Sequence, residues 1–208
     1  MIDSQTLLVF FSTAMLLALA PGPDNLFVIA QSAQNGRAAG FAVTLGLCTG
    51  LIGHTMAVAF GLAAIVRASA MAFTILKGVG ALYLLYLAWQ AWRAGSVAEN
   101  TEDSPALSGR ALYRRGIVMN LTNPKVSLFF LAFLPQFADP RHGSMTLQFL
   151  QLGSLFILAT LIVFGALSIV AGGLGDRFRR SPSALKLVNR VAAAVFVTLA
   201  VKLAISER

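Results

Sequence analysis

Charge is scarce in this sequence. Only 12% of its 208 residues are charged, against roughly 25% in a typical soluble domain. With 57% of the chain hydrophobic and a mean hydropathy of +0.77, too few charges remain to clothe a water-facing surface, which excludes an ordinary soluble globular protein. Cysteine occurs once, as Cys48, which excludes an intramolecular disulfide and a CxxC redox pair. With histidine confined to His54 and His142, no metal-ligand cluster can be assembled. Walker loop, dinucleotide fingerprint and catalytic-triad spacing are all missing, so the chain is read as non-enzymatic, without a cofactor. Lysine and arginine outnumber acids 16 to 8, yet they lie between apolar runs and form no aromatic-interleaved patch, which excludes nucleic acid as a partner.

What the sequence does contain is long apolar runs. A helix needs about 20 apolar residues to cross ~30 Å of hydrocarbon, and six runs of that kind are present. The first, from about Thr6 to Gln34, begins without a basic flank and continues past Pro21, so it reads as a span rather than a cleaved leader. The second covers about Gly40 to Val66 and the third about Ala70 to Trp92, where Tyr83, Tyr86, Trp89 and Trp92 gather near the end as an interfacial belt. The fourth covers about Gly116 to Phe137, the fifth about Met145 to Leu174 and the sixth about Ala184 to Ile205. The expected fold is an all-α integral membrane protein of six transmembrane helices, one transmembrane domain over residues 1–208.

Alternating loops differ in basic content. Nine basic residues fall on one side (Arg37; Arg93, Arg110, Arg114 and Arg115; Arg177, Arg179, Arg180 and Lys186) and three on the other (Arg67, Arg141 and Arg208). Cytoplasmic loops retain lysine and arginine, so both termini are expected in the periplasm of a bacterial inner-membrane protein. The cluster at Arg177 to Arg180 sets topology and touches anionic lipid. Lys77, Arg190 and Lys202 lie near span ends, where snorkelling accounts for them.

The two halves also resemble each other. Pro23-Asp24 corresponds to Pro124-Lys125, and the run from Phe60 to Val66 corresponds to that from Phe164 to Val170. Three spans per half is an odd number, so the repeats, about 1–93 and 114–208 around a cytoplasmic linker of about 94–113, must be inverted. Helices one and four are broken at corresponding places, and folds of this kind bind solute near the midplane at such breaks.

Those breaks carry the candidate site: Pro21, Gly22, Pro23, Asp24 and Asn25 in the first span, and Asn120, Asn123, Pro124 and Lys125 in the fourth. An unpaired Asp or Lys at mid-span costs about 2.5–3.5 kcal/mol, so an Asp24–Lys125 pair is expected, either as part of a solute site or as a structural ion pair. The prolines leave carbonyls unpaired at Leu17 to Leu19 and amides free at Asn25 to Phe27. A solute carboxylate suits the amides and an ammonium suits Asp24 with the carbonyls, although a proline kink re-satisfied by neighbours is also open. Asn120 and Asn123 either bond the solute or close gaps in the broken backbone. Asp24 and His54 are the candidates for carrying a proton, and a carbonyl-bonded structural histidine is the other reading of His54. Gly46, Gly50, Gly53, Ala57 and Gly61 form a small-residue stripe for close helix packing. The alternatives to transport are a membrane scaffold, which leaves the paired charged breaks unexplained, and an intramembrane redox carrier, which needs two thiols.

Pro21-Gly22-Pro23-Asp24, Asn123-Pro124-Lys125, the run from Gly78 to Leu87 and Phe133-Leu134-Pro135-Gln136-Phe137 together resemble the LysE/RhtB family of bacterial amino-acid exporters. The resemblance implies a six-helix secondary exporter that uses the proton-motive force to expel lysine, threonine, homoserine, leucine or related compounds. Gly53-His54-Thr55 is similar to the homoserine/threonine branch. Many members carry Asn at the position of Asp24, which implies that a carboxylate there is not general to export. The partners so implied are an amino-acid solute, protons and membrane lipid, with a homo-oligomer left open.

Overall fold

The computed structural model describes residues 2–20, 22–62, 70–93 and 107–174, with helical positions 190, 193–194, 196–198, 200–201 and 204. Helices account for all the regular structure among the described residues. The expected sixth span falls mostly outside them.

Helix α1, Ser4–Leu19, starts at Asp3, whose Oδ1 accepts from the Thr6 amide at 2.8 Å and whose Oδ2 accepts from the Thr6 hydroxyl at 2.7 Å. These bonds hold the Asp3 carboxyl below the usual carboxylate range. Helix α2, Pro23–Asn35, follows at a bend of 61°. Helix α3, Arg37–Met56, runs on into a π-helical stretch, Ala57–Leu62, and α4 covers Ala70–Arg93. On α4, Arg93 stacks over Trp89 at 4.5 Å and the Tyr86 hydroxyl accepts from Gln90 at 2.7 Å, so the expected aromatic belt is tied to a cation at its end.

Helix α5, Gly109–Thr122, is capped by Ser108, whose Oγ accepts from the Ala111 amide at 3.3 Å. The helix therefore begins inside the stretch expected to be linker, because three arginines in its first two turns disguise it as a polar loop. After Asn123 comes α6, Pro124–Leu128, bent by 49° from α5 and continued as a π turn, Phe129–Phe133, and a 3-10 turn, Leu134–Phe137. Beyond it Arg141 pairs with Asp139 at 2.7 Å and holds that carboxyl down at about 2. Helix α7 spans Met145–Leu174. By length and composition α3 with its π-helical extension, and α7, are candidate membrane spans, and the bent pairs α1–α2 and α5–α6 bring the number to as many as four.

Helix α3 is the hub, packed on α5, α7 and α2, while α1 lies against α7. Its crossing with α5 is backbone against backbone. A Cβ on Gly46 would overlap the Tyr113 carbonyl, and one on Gly116 would overlap that of Val43. Gly50 and Gly53 extend the same seam toward Asn120 and Leu121, but Gly61 does not belong to it, since no described residue lies within 4 Å of its Cβ position. Gly46→Val is expected to destabilise the protein by about 1–3 kcal/mol or more, because a carbonyl cannot move aside as a flexible side chain can. Thermal unfolding in detergent, with Gly61→Ala as the neutral comparison, measures this. Equal midpoints for the two variants would show that the crossing tolerates a side chain.

Candidate functional site

The two helix breaks adjoin, and the chemistry of each follows from proline. Pro21, itself outside the described residues, has no N–H with which to continue α1, and Pro23 sits at the first position of α2, where a missing donor is harmless. Carbonyls left open where α1 ends are met by side chains. Asn25 Nδ2 donates to the Ala18 carbonyl at 2.5 Å, and Lys125 Nζ, from the other break, donates to the Ala20 carbonyl at 3.0 Å. The Ala18 carbonyl, expected to be free for a solute ammonium, is thus occupied by the protein itself. The hydrogen-bond ladder of α2 begins with the Leu26 amide on the Gly22 carbonyl at 3.0 Å. Its leading amides are therefore those of Asp24 and Asn25, not the set from Asn25 to Phe27, and no side chain caps them among the described residues.

Lys125 is 6% exposed and Asp24 2%, yet they do not form the direct pair expected: among the described residues neither lies within 4.0 Å of an opposite charge. The carboxylate is reached by an amide instead, Asn120 Nδ2 donating to Asp24 Oδ2 at 3.3 Å. Lys125 comes so close to the first break that a Cβ on Gly22 would stand 2.9 Å from Nζ. Asn123 closes the second break: its Oδ1 accepts from the Lys125 amide at 3.0 Å and its carbonyl accepts from the amides of Val126 and Ser127. Asn120 serves both breaks, since its own carbonyl accepts from the Asn123 amide at 3.1 Å.

That same carbonyl lies 3.2 Å from His54 Nε2. A carbonyl can only accept, so the bond places the proton on Nε2. His54 is half-buried, its ring 5.5 Å from that of Phe130. Pro23 and Pro124 face outward and shape the breaks.

Four buried side-chain atoms have no hydrogen-bond partner among the described residues: Asp24 Oδ1, Asn25 Oδ1, Asn120 Oδ1 and Asn123 Nδ2. All four stand at the breaks. Buried polar atoms are nearly always paired, and leaving one unpaired costs about 1–3 kcal/mol, so four at one place make the two breaks the candidate functional site. Asp24, Asn120 and Lys125 line a cavity of about 20 Å³ there. That is room for a water, which needs about 10–15 Å³, and too little for an amino acid.

The far wall of the cavity comes from α7, as Phe156, Thr160 and Phe164 one turn apart, with Leu17, Leu51 and Val126 completing it. No sequence argument singled out these α7 residues, because a helix apolar on every side does not announce which face points inward. One signal was available: Thr160 is the only polar side chain between Ser154 and Ser168.

Comparison with known proteins identifies the family. The sequence profile of the LysE type translocator family matches residues 15–207. An uncharacterized membrane protein of Vibrio cholerae is 34% identical over 99% of both chains. A homoserine/homoserine lactone efflux protein of Salmonella typhimurium is 33% identical over 94% of both, and that of Salmonella typhi is 34% identical over the same share. No solved structure matches the chain.

Proposed function

The chain belongs to the LysE-type translocator family and is a membrane transporter, not an enzyme; from that premise we propose that it is a secondary active exporter of a small amino acid or amino-acid derivative, driven by the proton-motive force. The observation that carries the reading of the site is the convergence of one buried cation, one buried anion and four unpartnered polar atoms at two broken helices. A zwitterion has both charges to offer them. Its carboxylate is assigned to Lys125 and the leading amides of α2, where the helix dipole adds positive potential. Its ammonium is assigned to Asp24 with the oxygen of Asn120. The bond that Lys125 makes to the Ala20 carbonyl is the contact that a solute carboxylate would replace.

In this reading six spans form two inverted three-helix repeats, about 1–93 and 114–208, in the bacterial inner membrane with both termini periplasmic, and the α3–α5 crossing is where one repeat rocks on the other. A proton arriving from the periplasm at Asp24 or His54 releases the ammonium outward. With no nucleotide-binding motif in the sequence, the gradient supplies the energy. The reading is tested with proteoliposomes holding a mixture of amino acids, a proton gradient being imposed in one set and collapsed in the other. Selective, gradient-dependent loss of one or two amino acids is expected. A mixture retained in full in both sets would overturn it.

A further inference from the structure

Five residues with hydroxyl side chains are buried among the described residues: Ser32, Thr44, Thr55, Thr160 and Ser168. Four of them do what hydroxyls in helices ordinarily do, donating to the carbonyl one turn back: Ser32 to Val28 at 2.6 Å, Thr44 to Gly40 at 2.9 Å, Thr55 to Leu51 at 2.8 Å and Ser168 to Phe164 at 2.8 Å. Thr160, 3% exposed, is the exception, with no hydrogen bond to any described residue, and it lines the cavity between the breaks. Phe156 and Phe164 flank it one turn away on either side and line the same cavity, so α7 offers a single hydroxyl set between two phenyl rings.

Resting on the export reading above, we propose that Thr160 is the specificity-determining residue of the site. It distinguishes a solute side chain that carries a hydroxyl or carbonyl group from an apolar side chain of equal size. The geometry divides the labour: Asp24, Asn120 and Lys125 take the charged groups common to every amino acid, so selectivity must come from the remaining wall. That wall is apolar, formed by Leu17, Leu51, Val126 and the two phenylalanines, apart from Thr160. A purely apolar wall separates a hydroxyl from a methyl weakly, whereas one built to hydrogen-bond the solute rejects the analogue that leaves its polar group unpaired. A threonine hydroxyl both donates and accepts, so it serves hydroxyl and carbonyl side chains alike.

The test is competitive export from proteoliposomes loaded with equimolar pairs that exchange a hydroxyl for a methyl, threonine with valine and homoserine with norvaline. Wild-type protein is expected to export the hydroxylated member preferentially in at least one pair. Thr160→Val, which keeps the shape and removes the hydroxyl, is expected to lower that preference about tenfold, and Thr160→Ser to retain it. If the valine variant does not reach the membrane, Thr160→Ala against Thr160→Ser makes the same comparison. No wild-type preference in either pair, or a preference unchanged in the variants without the hydroxyl, would overturn the role of Thr160 while leaving export intact. Failure of wild-type protein to export any of the four amino acids would overturn this assignment alone, whereas retention of the whole amino-acid mixture under an imposed proton gradient would overturn the export reading with it.

Discussion

Lys125→Met is expected to slow amino-acid export by about thirty- to several-thousand-fold, the range implied by about 2–5 kcal/mol for the loss of one partner of a buried, hydrogen-bonded charge pair. Methionine nearly matches the length and volume of lysine, so the loss isolates the ammonium. That group is 6% exposed and donates to the Ala20 carbonyl across the two breaks. The variant leaves the carbonyl unpaired, which costs about 1–3 kcal/mol of stability, an amount that thermal unfolding in detergent reads separately. The two roles therefore diverge in one pair of measurements. A drop in unfolding midpoint with export at the wild-type rate would make Lys125 a strut between the helix ends, and the carboxylate of the solute would have to bind elsewhere. Export lost with a modest change in midpoint is the outcome the site predicts.

The positions of the breaks were legible because proline acts locally: it has no N–H wherever it stands, and Pro21, Pro23 and Pro124 end or restart a helix without regard to tertiary context. The buried charges were legible for a similar reason, since a mid-span Asp24 or Lys125 needs compensation whatever surrounds it. Which group compensates is a matter of ångströms, and there the sequence reading went astray. Opposite charges were paired by sign, while the structure gives Lys125 a backbone carbonyl and Asp24 an amide. Asn25, expected at the solute site, uses its Nδ2 to reach the Ala18 carbonyl at the end of α1, while its Oδ1 has no partner among the described residues. The start of α7 at Met145 was readable, yet its inner face was not, because an apolar run is written in composition while direction requires an alternation of polar and apolar residues that α7 lacks. The start of α5 failed in the opposite way: Arg110, Arg114 and Arg115 made a helix look like a loop.

Asp24→Asn is expected to leave the protein folded and uncouple it from the proton gradient. Asparagine matches the carboxylate in shape, and its oxygen can still accept from Asn120 Nδ2, which now bonds Asp24 Oδ2 at 3.3 Å, so the contact between the breaks survives. What disappears is the change of charge. In the proposed cycle a periplasmic proton neutralises Asp24, the solute ammonium loses its counter-charge and departs, and the proton is released to the cytoplasm when the site turns inward. With one proton per solute, each unit of pH difference, acidic outside, is worth about 1.4 kcal/mol, or roughly tenfold in the outward concentration ratio of the solute. Steady-state ratios measured over a series of imposed pH differences should follow that slope in wild-type protein and stay flat in Asp24→Asn. His54 provides the decisive comparison, because its Nε2 meets the Asn120 carbonyl while the Asn120 side chain holds Asp24, so either group can be reached along the same short chain. A full slope in Asp24→Asn with a flat one in His54→Gln would move the proton to the histidine, and full slopes in both variants would remove it from this site altogether.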